Sequence, residues 1–417
     1  MRAVAAASAP GICIFDGDPR RALRAPKRHH DGTHRTRAPG ATLAAMRPLM
    51  ARLGITRLAR LTGLDTVGVP VWTAIRPNGR SLSTSQGKGL TDDAAAVSAL
   101  MESIETWHAE RIDRPAVRGA WRTLRTRLPL VDPRQLPAER HLRGGAAGAA
   151  VLDARLDWIE GWDLMAGAPR WVPREAVTLD CVMPATHVPR FARSSNGLAS
   201  GNHVLEAVVH ALCEVIERDA EARWRHARGQ RRVDLATVRD PHCRTLLERV
   251  AAAHVHTIVW DITSDVGVPA FGAAIMENPY EPAWRALGLY QGFGCHLDPA
   301  VALARALSEA IQTRVTYISG SRDDFFPHDY ARTTDEELLT AIWDEVTTTP
   351  GERVDFARLP ASAAGPSFEA DLRTLLARLR SAKVKQVVAV DLSRPELGVP
   401  VVKVLVPGRA NRVELMG

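Results

Sequence analysis

The chain contains 417 residues, of which 46% are hydrophobic and 24% charged, so it can bury a sizeable core. Its formal net charge is +7, but aromatic residues, on which single-stranded nucleic acids stack, make up only 5% of it. The composition therefore predicts no nucleic-acid partner, and the scattered arginines suit an acidic peptide or protein partner equally well.

Cysteine content and hydropathy exclude further classes. The five cysteines contain no Cys-x-x-Cys pair, which disfavours a zinc site and a disulfide framework. No apolar run approaches the roughly 18 residues that span a bilayer, and the N-terminal apolar run is too weak for a signal peptide. We therefore expect a cytoplasmic protein without membrane contact.

In chain order, the first predicted region is a tail. Residues 1–40 are basic and rich in Pro and Gly, which predicts a partly disordered N-terminal tail and entry arm. Residues 41–417 are predicted to form one domain, with its core motifs in residues 81–417. The Ala- and Gly-rich residues 144–150 and the acidic to Pro-rich residues 344–366 are interpreted as excursions within that domain.

Strands and helices alternate along the rest of the chain. Six runs of β-branched or apolar residues have the length of strands: 64–75, 158–164, 257–263, 268–276, 386–391 and 399–406. Helical periodicity is found in residues 368–382 and in a signature that recurs three times. This alternation predicts an α/β or α+β fold with a mixed sheet.

The recurring signature is seven residues long. Its copies are Ala99-Leu100-x-Glu102-x-Ile104-Glu105, Ala211-Leu212-x-Glu214-x-Ile216-Glu217 and Ala306-Leu307-x-Glu309-x-Ile311-Gln312. On a helix, the apolar residues four apart and the acidic or amide residues three apart form separate stripes. The second copy extends its polar stripe through His210 to Glu206. Such crowded carboxylates destabilise an isolated helix unless a cation lies among them.

Three copies favour a shared binding site over three solvated helix faces, although a duplicated structural unit remains an alternative. Mg²⁺ fits such a site, because it takes oxygen ligands and usually bridges carboxylates to phosphates. Nearby basic residues support the interpretation that the site binds phosphate: Arg218, Arg305, Arg314 and Lys88. Lys88 lies in a Gly-flanked turn, and for this residue a solvated lysine is the alternative. The Gly-rich residues 196–202 also suit anion binding at a helix entrance.

Several long motifs then carry a resemblance. They are Ser85-Gln86-Gly87-Lys88-Gly89-Leu90-Thr91 with Ser98-x3-Glu102-x2-Glu105, Ser195-Asn196-Gly197-Leu198-Ala199-Ser200-Gly201-Asn202-x3-Glu206 with Glu214-x2-Glu217-Arg218-Asp219, and Gly294-Cys295-His296-x-Asp298-Pro299 with Ala306-Leu307-Ser308-Glu309-Ala310-x-Gln312-x-Arg314. From about residue 27 onwards the chain resembles the YcaO family. The resemblance implies a compact YcaO-type fold with a non-P-loop ATP cleft, a homodimer, and ATP- and Mg²⁺-dependent phosphorylation of a peptide backbone amide oxygen.

The same resemblance implies roles for individual residues. Glu102, Glu105, Glu206, Glu214 and Glu217 would hold Mg²⁺ or the triphosphate. Lys88, Ser98, Asn202, Glu206 and Arg218 would contact the nucleotide. Arg218, Arg314 and Gln312 would serve the reaction itself. Lys27 would match an early nucleotide-contacting lysine, the alternative being a solvated basic arm.

The product depends on the nucleophile. The chain ends without the Pro-x-Pro-x-Pro tail typical of azoline-forming members, and residues 27–36, 81–89 and 316–324 resemble the subgroup encoded with TfuA proteins. That resemblance implies thioamide formation on a peptide or protein with a TfuA-like partner. An azoline-forming cyclodehydratase, a catalytically silent peptide-binding relative and an ATP-using ligase or kinase for a small molecule remain alternatives. Cys295 is either a sulfur-handling thiol or a buried structural cysteine.

Overall fold

The computed structural model describes residues 24–139, 149–182, 188–226, 231–349 and 351–409. The helices in these ranges are α1 (Pro39–Met46), α2 (Met50–Leu53), α3 (Asp92–Glu110), α4 (Trp121–Leu124), α5 (Val204–Arg225), α6 (Pro241–Ala252), α7 (Pro299–Ser319), α8 (Pro327–Thr333), α9 (Glu336–Thr348) and α10 (Phe368–Ser381). The strands are β1 (Arg57–Arg60), β2 (Val71–Ile75), β3 (Thr84–Lys88), β4 (Ala116–Ala120), β5 (Arg155–Asp163), β6 (Ala168–Pro173), β7 (Leu198–Ser200), β8 (Arg231–Asp234), β9 (Val255–Asp261), β10 (Ala270–Glu277), β11 (Tyr290–Cys295), β12 (Glu352–Asp355), β13 (Val388–Asp391) and β14 (Val401–Leu405).

The strands form three sheets within the described ranges. One has the order β1-β2-β3, the second β11-β10-β9-β8-β12, and the third β4-β5-β13-β14-β7, with β6 paired to β5. Strand β12 runs parallel to β8, whereas the other pairs are antiparallel. The predicted α/β class is therefore confirmed, and the mixed pairing lies in the second sheet.

The predicted strands need one correction. Each of the six apolar runs contains a strand, but residues 64–70 bend before β2 instead of extending it. Gly68 has a φ of +70°, a value that residues with a side chain rarely adopt, and Pro70 has no N–H to donate to a strand partner. Lys88, predicted in a turn, is the last residue of β3.

The three signature copies lie on α3, α5 and α7, and each helix begins at a capped residue. The Thr91 hydroxyl accepts from the Ala94 N–H and starts α3. His203 Nδ1 accepts from the Leu205 N–H at the start of α5. The Asp298 carboxylate accepts from the first turn of α7, which Pro299 opens.

Glycines in the strands allow these helices to pack at short range. A Cβ on Gly87 of β3 would lie 2.0 Å from the Ala99 nitrogen of α3. A Cβ on Gly292 of β11 would lie 2.1 Å from the Ala310 nitrogen of α7. The helices therefore lie against the backbone of their strands, and Glu102 of α3 accepts from the Gln86 N–H of β3.

Parts of the described entry arm pack against the rest of the protein. Residues 26 and 29 form isolated bridges, to Ser367 and Arg35 respectively, and the Lys27 side chain is fully buried. Residues 1–23 lie outside the described ranges, as do residues 144–148 of the predicted Ala- and Gly-rich excursion.

Candidate active site

The polar stripes of α3, α5 and α7 meet at one cluster. Glu309 of α7 accepts a hydrogen bond from Lys88 Nζ of β3 at 2.9 Å and from Arg218 Nη2 of α5 at 3.3 Å. Glu105 of α3 accepts from both the N–H and the hydroxyl of Ser200, at 2.7 and 2.6 Å, on the strand that precedes α5. Segments more than 200 residues apart in sequence thus contribute to one site, since Lys88 and Glu309 are 221 residues apart.

The two glutamates of α3 accept hydrogen bonds from two different strands. Glu102 accepts from the Gln86 N–H of β3 at 3.0 Å, and its side chain stays exposed. Loss of hydration raises the pKa of Glu102. Burial also raises the pKa of Glu105 to about 7, although the two bonds from Ser200 favour its charged form.

The glutamates of α5 are more crowded. Burial raises the pKa of Glu214 to about 8, with Arg218 opposing and Glu217 adding to the shift. Burial likewise raises the pKa of Glu217 to about 7, against the attraction of Arg218. Both carboxyls therefore keep part of their protons at neutral pH, and a bound divalent ion would favour their ionised forms.

A lysine that the sequence reasoning did not select lies beside Glu214. Lys403 of β14 is buried and donates from Nζ to the Ser194 carbonyl. Burial lowers the pKa of Lys403 to about 8, while Glu214 partly restores it.

Glu309 differs from the other glutamates. Its burial disfavours the charged form, but Lys88 and Arg218 outweigh that effect and lower its pKa to about 2. Glu309 is therefore an ionised carboxylate that holds two cations in place. The site residues predicted from the sequence did not include Glu309, although Glu309 occupies the same signature position as Glu102 and Glu214.

Arg218 is the central cation of the cluster. Its guanidinium donates to Glu221 at 2.8 Å, lies 3.3 Å from Glu217 and Glu309, and lies over the Phe293 ring at 5.8 Å. The ring and three carboxylates fix the plane of the fork, which leaves it suited to bidentate recognition of phosphate oxygens.

Glu206, one turn into α5, is held by the entry arm. Thr36 donates to Glu206 Oε2 from its N–H at 2.9 Å and from its hydroxyl at 2.7 Å. Arg35 Nε lies 3.7 Å from Glu206 Oε1, and Asn202 Nδ2 donates weakly to the same oxygen at 3.5 Å. Sequence reasoning missed Arg35 and Thr36, because nothing in the arm identifies its partner 170 residues away.

Two predicted residues keep positions near the cluster. Ser98 lies one turn before Glu102 on the same face of α3, and Gln312 lies one turn after Glu309 on α7. Both are partly buried.

Two basic residues that were predicted at the site do not face the glutamate cluster. Arg314 is fully buried, donates to Glu277 Oε1 at 2.6 Å and lies 3.7 Å from Asp65. Lys27 is fully buried against Asp371, at 2.6 Å. The predictions that these residues contact phosphates are therefore corrected, because their charges are already paired inside the protein.

The cysteine beside this site is structural. Cys295 ends β11 and is fully buried, and burial raises the pKa of its thiol well above the ordinary value. A thiol that stays protonated is a poor nucleophile, so the buried structural alternative fits Cys295 better than sulfur handling.

The donor set fits a magnesium–phosphate group. Glu102, Glu105, Glu214 and Glu217 offer hard oxygen ligands, and burial raises the pKa of each of these carboxyls. Arg218 and Lys88 provide the opposite charge for phosphates on the Glu309 side of the cluster. No helix in the described ranges is both long and apolar enough to cross a membrane.

Comparisons with known proteins agree with this geometry. The YcaO cyclodehydratase family model, described as ATP- and Mg²⁺-binding, matches residues 86–410. A protein described as lying in the tfuA 3′ region of Rhizobium leguminosarum bv. trifolii is 34% identical over 401 residues, covering 94% of this chain and 91% of that one.

Two solved structures are similar over nearly the whole chain. YcaO from Methanopyrus kandleri, bound with AMPPCP and Mg²⁺, matches with a TM-score of 0.72 at 25% identity, covering 92% of this chain and 94% of that one. A heterocyclase in complex with substrate and cofactor matches with a TM-score of 0.74 at 25% identity. The match covers 94% of this chain but only 56% of the heterocyclase.

Proposed function

Because the chain belongs to the YcaO family, whose members are described as ATP- and Mg²⁺-binding, we propose that it phosphorylates a backbone amide oxygen of a peptide or protein and that sulfur then replaces this oxygen. The observation that carries the proposal is the meeting of three glutamate-bearing helices around Arg218 and Lys88. This arrangement pairs metal ligands with phosphate-binding cations, as activation of a poor leaving group by ATP requires.

The proposed roles follow the observed positions. Glu102, Glu105, Glu206, Glu214 and Glu217 hold the metal. Lys88, Ser98, Asn202 and Arg218 contact the phosphates, and Gln312 faces the reacting group. Glu309 positions Lys88 and Arg218 through its two hydrogen bonds.

The chemistry needs little covalent participation from the protein. Mg·ATP supplies a phosphoryl group, which turns the amide oxygen into part of a phosphate leaving group. Sulfide adds to the activated carbon, phosphate leaves with the former amide oxygen, and the remaining proton passes to solvent, which gives a thioamide, ADP and phosphate. Arg218 stabilises the charge that develops on the transferred oxygens, and Glu221 and Glu309 keep its fork oriented.

The proposal of sulfur as the nucleophile rests on the relative from the tfuA 3′ region, which is similar along almost its whole length. We propose by the same reasoning that a TfuA-like protein is the partner and that it assists sulfur delivery. The homodimer and the cytoplasmic location also stay proposals.

Mass spectrometry of the product tests the reaction. The protein is incubated with Mg·ATP, sulfide, a TfuA-like protein and a candidate substrate peptide. Exchange of oxygen for sulfur adds about 16 mass units, whereas cyclodehydration removes about 18, because water is lost. A peptide that gains about 16 units only when ATP and sulfide are both present supports thioamidation.

Arg218→Lys tests the mechanism in the same assay. Lysine keeps the charge but loses the planar fork, so we expect the rate to fall at least about tenfold. Arg223→Lys is the matched control, because Arg223 lies on the same helix but pairs with Asp219. A wild-type rate in Arg218→Lys would remove Arg218 from the phosphate site.

Azoline formation is the second candidate, and the heterocyclase match favours it. A loss of about 18 mass units at Cys, Ser or Thr, without any requirement for sulfide, would replace the first proposal with this one. A protein that binds peptide but does not hydrolyse ATP in its presence would instead be the catalytically silent relative, and ATP turnover with a small-molecule acceptor would indicate a ligase or kinase.

A further inference from the structure

A fully buried ion pair joins the entry arm to α10. Lys27 Nζ lies 2.6 Å from Asp371 Oδ2, and neither side chain is exposed. Asp371 Oδ1 accepts from the Gly365 N–H at 2.7 Å, and the Lys27 ammonium lies over the Phe368 ring at 5.6 Å. Burying two charges is costly, so a pair of this kind is retained where it fixes one arrangement of the chain.

Two histidines complete the cluster, which has the composition of a metal site. Ligand atoms of His34, His296 and Asp371 lie within 4.8 Å of one another. The hydrogen bonds argue against a metal, because each imidazole uses Nδ1 as an acceptor: His34 from Lys27 Nζ at 3.2 Å, and His296 from the Asp298 N–H. In each neutral ring the other nitrogen then carries the proton and has no lone pair for a metal. The cation of this cluster is therefore Lys27 itself.

The arm runs from this ion pair directly to the glutamate cluster. The Arg28 and His29 N–H groups donate to the Arg35 carbonyl, and the Arg35 N–H donates to the His29 carbonyl, so residues 28–35 form a closed loop. The loop places Thr36 where it donates twice to Glu206 Oε2, and Arg35 beside Oε1. Both oxygens of Glu206 are thus oriented by residues whose position depends on the anchored arm.

We propose that Lys27 and Asp371 form a latch that positions Glu206 for Mg·ATP through the arm, and that Lys27 is a positioning residue rather than a nucleotide contact. The inference rests on the proposed function, because it assigns Glu206 to that site. Partners that orient a metal ligand typically change metal affinity about 10- to 100-fold when they are removed.

Calorimetry with Mg·ATP tests the latch. In Lys27→Met we expect Mg·ATP to bind about 10- to 100-fold more weakly, because the unpaired Asp371 carboxylate expels the arm. In Lys27→Met/Asp371→Asn no charge is left unpaired and the Gly365 contact is kept, so affinity should return to within about threefold of wild type. Asp31→Ala is the control, since Asp31 lies in the same arm but pairs with His242 at the surface; its affinity should change less than about threefold.

The double variant separates positioning from direct contact. If it regains the thermal stability of the wild type but binds Mg·ATP as weakly as Lys27→Met, then Lys27 contacts the nucleotide and the latch is wrong. Unchanged affinity in a folded Lys27→Met also overturns it.

Hydrogen exchange separates the latch from the proposed function. The Thr36 N–H, which donates to Glu206, should exchange faster in Lys27→Met and recover in the double variant. This result, together with a wild type that does not bind Mg·ATP, would reject the proposed function and keep the anchoring step. Unchanged exchange at Thr36 in Lys27→Met would reject the anchoring step whatever the nucleotide binding shows.

Discussion

At the scale of single residues, position decides what a glutamate does in this cluster. Burial raises the pKa of Glu217 to about 7, so this carboxyl is largely protonated in the metal-free protein at mildly acidic pH. Glu309 is also buried, but Lys88 and Arg218 lower its pKa to about 2, so it stays ionised. Glu217 therefore loses its proton and becomes charged when a cation binds, whereas Glu309 is already paired with its two cations.

The raised pKa of Glu217 predicts how stability depends on pH without metal. An unfolded glutamic acid loses its proton near pH 4.5, whereas the folded one keeps it to about 7. Between these values the folded state binds more protons, so its stability falls as pH rises through this window. Glu217→Gln removes the effect: the thermal midpoint of the variant should match that of the wild type at pH 4.5 and exceed it at pH 8, in buffer with chelator.

The control for this measurement is Glu369→Gln, which also lies on a helix, but outside the cluster. Hydrogen bonds to Glu369 outweigh its burial and lower its pKa. The sign is therefore opposite: its contribution is present at neutral pH and is lost as pH falls below about 4.5. A midpoint for Glu217→Gln that lies below that of the wild type at pH 8 would contradict the assignment of Glu217 as a carboxyl short of positive charge.

At the scale of elements, the close fit of helix on strand is the feature that the sequence encodes least visibly. The signature alanines pack on glycines of the adjacent strands, so that α3 lies on β3 and α7 lies on β11. The helical period and the apolar stripe predicted the helices, because both are local properties. Strands β1, β3, β4, β6, β7, β8, β11 and β12 lie outside the six predicted runs. Among them, β1, β4 and β8 are only four or five residues long and each contains arginine, so tertiary pairing rather than propensity makes them strands.

Gly292→Ala tests this packing. The new Cβ would lie 2.1 Å from the Ala310 nitrogen and 2.4 Å from the Ala306 carbonyl oxygen, and backbone atoms cannot move aside as a side chain can. Helix α7 must shift, which should lower the free energy of unfolding by about 1–3 kcal/mol in chemical denaturation. Because α7 carries Glu309, the shift should also weaken Mg·ATP binding.

Gly272→Ala provides the comparison in the neighbouring strand β10. Its Cβ would meet the Phe293 ring edge at 3.2 Å and the Ile262 side chain at 3.7 Å, and side chains can yield. We expect less than about half the loss of stability seen for Gly292→Ala. Equal losses in the two variants would show that helix–strand contact at Gly292 is not specially close.

At the scale of the whole molecule, the site exists because distant segments meet, and the sequence predicts this only in part. The triple signature predicted a shared site for α3, α5 and α7, and the structure joins α5 to α7 through Arg218 and Glu309, with Lys88 of β3 beside them. The resemblance gave Lys27 and Arg314 roles at the site, but sequence shows only that a residue is cationic and not that a buried carboxylate already pairs with it. Contacts such as Thr36 to Glu206 depend on the path of the arm across the folded protein, which has no local signal.

The meeting of three segments predicts that metal and nucleotide stabilise the protein jointly. ATP alone brings negative charge to carboxylates that already repel one another, and Mg²⁺ alone leaves Arg218 and Lys88 without phosphate partners. Mg·ATP supplies both charges, so it should raise the thermal midpoint by more than the sum of the two separate shifts. Differential scanning fluorimetry with Mg²⁺, ATP and a nonhydrolysable analogue, each alone and combined, measures this.

Glu102→Gln should lose most of the excess shift, because it removes a carboxylate ligand from α3. Glu248→Gln, on the exposed face of α6, should keep the excess shift. Additive shifts in the wild type would mean that metal and phosphates bind at separate places, and the shared cluster would then not be their site.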